Sequence, residues 1–235
     1  MHTSESHAIR TQKQALRLQM AQMREEMPGL AFDQATCGLR QVLLDFLHEL
    51  ARPAAAPDPA CGDRPLPRIA VEAGRNLRLG VYAAIRNEAD LSAAWPDLMA
   101  WPADLYFPAI QGKGQSSRLV FGKLPAGLDP QAFLILGCFG IDEPPESDWL
   151  PEAPELDAIL VPGLAFDCFG SRVGWGKAYY DRLLPQLPGR PIRIGVCHSF
   201  QIVEGRLPSD SNDQRVDWLL TPEGCRPVCL TQDLP

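Results

Sequence analysis

Between Arg10 and Met27 the apolar residues Leu16, Met20, Met23 and Met27 recur at helical spacing against a charged remainder, which predicts an amphipathic helix. Pro28-Gly29 ends it. From about Phe32 to Ala51, Leu39, Val42, Leu43, Phe46, Leu47 and Leu50 again share one face, so a second helix is expected, paired with the first as an α-hairpin packed on the rest of the chain. Short apolar runs follow at Leu77 to Tyr82, Leu105 to Phe107, Leu119 to Phe121, Ala158 to Val161 and Ile192 to Val196, each bounded by polar or turn residues. These predict strands. Helical patterns at Ala89 to Trp101 and Lys177 to Leu184 alternate with them, and such alternation predicts a layered α/β fold with a largely parallel sheet flanked by helices. Gly122 to Glu155, rich in Pro, Gly and acid, is expected to be a partly irregular excursion.

Composition narrows the picture. The 235 residues and 46% hydrophobic content suit one domain, 1–235, with an ordinary core. Arg52 to Arg68, made of Pro, Ala, Gly and Asp, buries too little apolar area to offset its ordering entropy and is expected to be a flexible linker or insertion. The chain carries no apolar run of about 18 residues and opens on a charged helical segment, so a cytoplasmic protein that does not enter membranes is expected. The seven cysteines show no C-x-x-C pair and predict free thiols. A net charge of -7 without a basic run argues against nucleic acid as a partner, so any phosphate must sit in a local pocket.

The densest chemical signal runs from Leu156 through Val161-Pro162-Gly163-Leu164-Ala165-Phe166-Asp167 to Gly170-Ser171-Arg172-Val173-Gly174-Trp175-Gly176-Lys177-Ala178-Tyr179-Tyr180-Asp181. Gly174 and Gly176 let the backbone approach a ligand closely, and a helix starting near Gly176 would aim free N–H groups at the same place. Arg172 and Lys177 add positive charge, and Asp181 stands where it can bring in a metal. On local sequence alone the same residues serve equally as a tight turn with an exposed Lys177–Asp181 pair. Neither common nucleotide loop fits, since G-x-x-x-x-G-K-[ST] is absent and Tyr179 stands where G-x-G-x-x-G needs its last glycine.

The string G-x-R-V-G-x-G-K-A-Y-Y-D after V-P-G-L-A-F-D resembles the signature of the 5-formyltetrahydrofolate cyclo-ligases, also called methenyltetrahydrofolate synthetases. The family pattern usually has glycine where this chain has Ala178, a departure expected to tighten the helix start and leave most of the cradle intact; the Trp175 position varies in type. Three other elements are similar to the family's: K-x-x-L-R at Lys13 to Arg17, Glu88 six residues after Tyr82, and P-x-x-x-x-D-x-x-V-D at Pro208 to Asp217. Local sequence alone favours a solvated basic face for Lys13 and Arg17 and an acid in a polar turn for Asp213, and it leaves Glu88 open between a site residue and a helix N-terminal acid. Gly140-Ile141-Asp142-Glu143-Pro144 also looks like a family element, structural or at a pocket edge, and the resemblance covers most of residues 10–220.

The resemblance implies a NagB/RpiA/CoA transferase-like fold and conversion of 5-formyltetrahydrofolate, including polyglutamylated forms, to 5,10-methenyltetrahydrofolate with hydrolysis of ATP. Its cofactors would be ATP and Mg²⁺. It assigns nucleotide binding to Lys13, Arg17, Arg172, Gly174, Trp175, Gly176, Lys177, Ala178, Tyr179 and Tyr180, with Arg172 and Lys177 catalytic. Glu88 and Tyr179 would bind substrate, and Asp181 and Asp213 the metal. A monomer is expected. Two other readings stay open on sequence: a sugar-phosphate isomerase or CoA transferase-like enzyme, and an inactive relative that binds folate or nucleotide.

Overall fold

The computed structural model describes residues 2–51 and 74–229, so the insertion expected at 52–68 lies outside the described residues. In chain order the elements are α1 (His2–Glu25), α2 (Gly29–Leu50), β1 (Leu77–Gly80), α3 (Trp95–Ala100), β2 (Ala103–Gln111), β3 (Arg118–Lys123), α4 (Pro130–Phe133), β4 (Ile135–Leu136) and β5 (Asp142–Glu143). They continue with β6 (Ala158–Pro162), β7 (Ala165–Asp167), β8 (Arg172–Val173), α5 (Tyr179–Leu183), β9 (Ile192–Val196), β10 (Ile202–Val203), β11 (Trp218–Thr221) and β12 (Gly224–Pro227). Seven strands form the central sheet in the order β12-β11-β9-β6-β1-β2-β3. The pairs β11–β9, β9–β6, β6–β1 and β1–β2 are parallel, and only the two edge pairs run antiparallel.

The expected largely parallel sheet is therefore present, and its core explains the unbroken apolar runs. Along β6, Ala158 and Leu160 face the cluster that includes Leu43, Leu47, Phe46 and Trp218, while Ile159 and Val161 face the opposite cluster with Phe166, Leu183 and Leu184. A strand buried on both faces has no polar alternation to show. The short signals at β7, β8, β10, β11 and β12 were not anticipated as strands. Trp218–Leu220 is a continuous apolar run like β6, and it lies in the sheet between β9 and the edge strand β12.

Three expected elements differ in detail. The segment Ala89 to Trp101 is not one helix: a 3₁₀ turn at Ser92–Ala94 precedes the short α3, because Asp90 accepts hydrogen bonds from the Ser92 N–H and hydroxyl (2.8 and 2.9 Å) and Pro96 fits only the first turn of a helix. The helix expected at Lys177 starts at Tyr179, since Ala178 adopts a left-handed conformation. The expected α-hairpin is corrected too. α2 packs on the sheet against β11 and β12, whereas α1 packs against β7, with Met20 buried among Leu164, Ala165, Val173 and Leu207. The two helices bury their apolar faces against different sheets, and α1 is thereby carried to the Gly174 turn.

Leu43 is fully buried in the layer between α2 and the sheet. Leu43→Ala is expected to destabilise the protein by roughly 2–5 kcal/mol, read as a lower urea midpoint with an unchanged slope.

Candidate active site

A cleft of ≈ 660 Å³ opens at the carboxyl ends of β1 and β6, where parallel α/β sheets characteristically place ligands. It is lined by all thirteen residues singled out in the sequence: Lys13, Arg17, Glu88, Arg172, the stretch Gly174 to Asp181, and Asp213. They arrive from four separate places in the chain.

The glycine turn follows β8. Gly176 has φ +90°, a backbone conformation that strains any residue with a side chain, and a Cβ there would lie 3.2 Å from the Arg17 guanidinium carbon. Arg17 reaches in from α1 and its Nε donates to the Gly174 carbonyl oxygen at 2.8 Å. One turn earlier on the same helix, Lys13 is buried and its Nζ donates to Asp210 Oδ2 at 3.2 Å and to Asp213 Oδ2. The Asp213 carboxylate also accepts the Asp210 N–H at 2.7 Å. The Asp210 carboxyl lies below its usual range, first because it accepts the Asn212 N–H and then because Lys13 stands beside it.

Arg172 is buried at the cleft floor. Its Nη2 donates to Asp181 Oδ1 at 3.0 Å, and its guanidinium lies over the Tyr180 ring, 5.5 Å from the centroid. Asp181 also accepts the Gln214 N–H at 3.2 Å, which ties the residue after Asp213 to α5. Burial pushes the Tyr180 hydroxyl well above its ordinary pKa, so it stays a neutral donor. Tyr179 shares a 3.0 Å hydrogen bond with Ser117. Lys177 is exposed, with Nζ 5.8 Å from the Phe139 ring centroid.

On the opposite wall, Glu88 is buried in the loop after β1. Its Oε1 accepts the Trp175 indole N–H at 3.1 Å, and its Oε2 accepts the Ile85 N–H at 3.3 Å. Desolvation raises its carboxyl pKa, opposed by the Arg24 charge and these hydrogen bonds. Trp175 thus bridges the glycine turn and the Glu88 loop.

The family model described as the 5-formyltetrahydrofolate cyclo-ligase family matches residues 9–222. The chain belongs to this family. Among cyclo-ligases, a mitochondrial one from Arabidopsis thaliana is 30% identical over 158 residues, 60% of this chain and 57% of that one. The cyclo-ligase of Mycolicibacterium smegmatis is 36% identical over 146 residues, covering 60% and 72%. The chain therefore spans little more than half the length of the plant cyclo-ligase. The NMR structure of Aquifex aeolicus 5,10-methenyltetrahydrofolate synthetase superposes with a TM-score of 0.68 at 27% identity, covering 95% of this chain and 96% of that one. Cyclo-ligase membership disfavours the isomerase and CoA-transferase readings.

The structure corrects the expectation for Ala178. It has φ +52° and ψ +30°, a left-handed conformation that glycine adopts freely and alanine does not. The family's glycine thus has a steric reason here, and the backbone N–H groups at the cleft belong to a turn ahead of α5 and not to a helix starting at Gly176.

Other residues at the site escaped sequence reasoning. Arg24 is fully buried behind Glu88, and the exposed Arg86 stacks on Trp175 at 5.1 Å. The signal for Arg24 was its place four residues after Met20, a charge on the apolar face of α1. Asp210 escaped because only the folded chain sets it against Lys13. His198 is buried with Nε2 3.1 Å from the Asn87 carbonyl oxygen, and burial lowers its pKa, favouring the neutral ring.

Ala178→Gly relieves the left-handed strain at the price of chain entropy in the unfolded state. It is expected to stabilise the protein by up to about 1 kcal/mol in urea unfolding, whereas Ala178→Val is expected to destabilise it.

Proposed function

We propose that this protein converts 5-formyltetrahydrofolate to 5,10-methenyltetrahydrofolate, using ATP as co-substrate and releasing ADP and phosphate. The observation that carries the reading is the single cleft in which the α1 cations meet the glycine turn opposite Glu88. The cleft is large enough for a flat heterocycle beside a polyphosphate.

Ring closure requires the formyl oxygen to leave, and by itself it is a poor leaving group. Transfer of the terminal phosphoryl group of ATP to that oxygen breaks the bond to ADP and forms an activated imidate phosphate. N10 of the substrate then attacks the formyl carbon, the carbon–oxygen bond breaks, phosphate departs and the N10 proton is lost. Such a sequence needs alignment and charge stabilisation more than a protein nucleophile.

Lys13, Arg17, Arg172 and Lys177 supply the positive charge, and the turn Gly174 to Ala178 supplies backbone donors. The pairs Lys13–Asp213 and Arg172–Asp181 each join a phosphate-seeking cation to a metal-seeking carboxylate. Among the described residues no cluster of three or more His, Cys, Asp or Glu forms a ready-made metal cage. Two carboxylates nevertheless fit Mg²⁺, which commonly takes one or two from the protein and completes its shell with water and phosphate oxygens. Asp181 and Asp213 would hold it, and it would neutralise charge on the phosphates. Glu88, with acceptor oxygens only when ionised, suits the N–H donors of the substrate's amino-pyrimidinone ring, and Tyr179 and Tyr180 offer flat walls to it.

Mixing the protein with Mg-ATP and 5-formyltetrahydrofolate should produce the ultraviolet chromophore of the methenyl product, strictly dependent on ATP. Tight folate binding without the chromophore would select the inactive relative instead. Arg172→Ala should lower kcat by roughly a hundredfold or more in a variant that still folds. Wild-type kcat in that variant would remove Arg172 from the site.

A further inference from the structure

The most heavily buried cation among the described residues has no part in the proposal above. Arg24 lies in the last turn of α1 with no solvent exposure, and its Nε and Nη1 make no hydrogen bond among the described residues. Burial of an unpaired guanidinium is costly, so something must offset it. Its Nη1 stands 3.8 Å from Glu88 Oε1, and its guanidinium carbon lies 5.2 Å from the Trp175 ring centroid, on the indole that donates to the same carboxylate.

Arg24 also holds the loop that presents Glu88. Its Nη2 donates to the Arg86 carbonyl oxygen at 2.8 Å, and its own carbonyl oxygen accepts from Asn87 Nδ2 at 3.0 Å. Arg86 and Asn87 are consecutive left-handed residues, with φ +48° and +54°, a conformation that persists only where neighbours enforce it. His198, from the far side, contacts the Asn87 carbonyl oxygen.

We propose that Arg24 is a positioning residue for folate binding: it is the buried counter-charge that keeps Glu88 ionised, and it clamps the Arg86–Asn87 turn that aims Glu88 into the cleft. This rests on the reading that Glu88 receives the folate. The other groups facing Glu88 do not replace it. Tyr82 and Tyr180 are phenols kept neutral by burial, Trp175 carries no charge, and His198 is held neutral at the loop's back. Arg86 is exposed, with its guanidinium carbon 5.1 Å from the indole centroid, and among the described residues Arg24 alone forms an ion pair with Glu88. The carboxyl is already raised by desolvation, and the Arg24 charge works against that rise. Without Arg24 the carboxyl takes up its proton at higher pH, and a protonated Glu88 loses acceptor capacity.

The test is equilibrium binding of 5-formyltetrahydrofolate without ATP, followed from about pH 5 to pH 9. It compares wild type, Arg24→Met, Arg24→Lys, Glu88→Gln and the double variant Arg24→Met with Glu88→Gln. Arg24→Met should bind roughly tenfold or more weakly at neutral pH, with the acid loss of binding moved up by about one pH unit or more. ATP binding should be unchanged, and Arg24→Lys should return the acid limb toward its wild-type position. In the Glu88→Gln background, Arg24→Met should add nothing further. An acid limb unmoved in Arg24→Met, or an effect that adds in full to Glu88→Gln, overturns the proposal.

Should Arg24→Met fail to fold, Arg24→Lys and the double variant decide. The double variant leaves no unpaired ion, so it should fold, and its failure would overturn the counter-charge role. A wild-type protein that binds no folate at all sinks the functional reading instead. The same five proteins compared by thermal unfolding then still report whether Arg24 and Glu88 are coupled.

Discussion

The docking of α1 onto the small sheet of β7, β8 and β10 is the constraint on which the site depends. Met20 sits among Leu164, Ala165, Val173 and Leu207, and this apolar contact fixes the helix's rotation and height. Because residues three and four apart on a helix share a face, fixing Met20 also fixes Lys13, Arg17 and Arg24 on the side that meets the cleft. Each then finds a different partner: Asp213 beyond β10, the Gly174 carbonyl oxygen in the turn, and Glu88 after β1. One helix thereby ties together three loops that the central sheet alone leaves at its rim.

The electrostatics follow from that arrangement. The protein carries a net charge of -7, yet it gathers Arg10, Lys13, Arg17, Arg86, Arg172 and Lys177 around one cleft. The deep cations are paired with Asp213, Asp181 and Glu88, so the folded chain is spared unpaired buried charge. Such pairs hold cations and carboxylates at fixed positions in a partly dry site, where charge acts more strongly than in water. Trp175 adds a mechanical link, since it belongs to the glycine turn while its indole N–H bonds the carboxylate across the cleft.

Much of this was legible in the residues. The heptad-like spacing of α1 and α2 and the apolar runs of β1, β6 and β9 gave a largely parallel α/β sheet, because side-chain burial is periodic in both element types. The ordered motifs named thirteen of the residues that line the cleft, because glycine spacing and cation spacing can be read locally, while Arg86 and Asp210 beside them could not. Less legible were strands of two or three residues such as β8 and β10, too short to display a period, and the break of the expected helix at Asp90 and Pro96.

Sequence by itself determined the two long helices, the strands with clear apolar runs and the residue types proposed to carry the chemistry, since these follow from local pattern and side-chain properties. Only the tertiary structure decided which of those residues meet. Helical periodicity says that α1 has an apolar face and not that the face lands on β7 instead of α2. Nor does it say that Arg24, a charge on that face, lies against a carboxylate sixty-four positions along the chain. Contacts between distant segments are set by how apolar surfaces close over one another, a property of the whole packed chain that no single stretch contains.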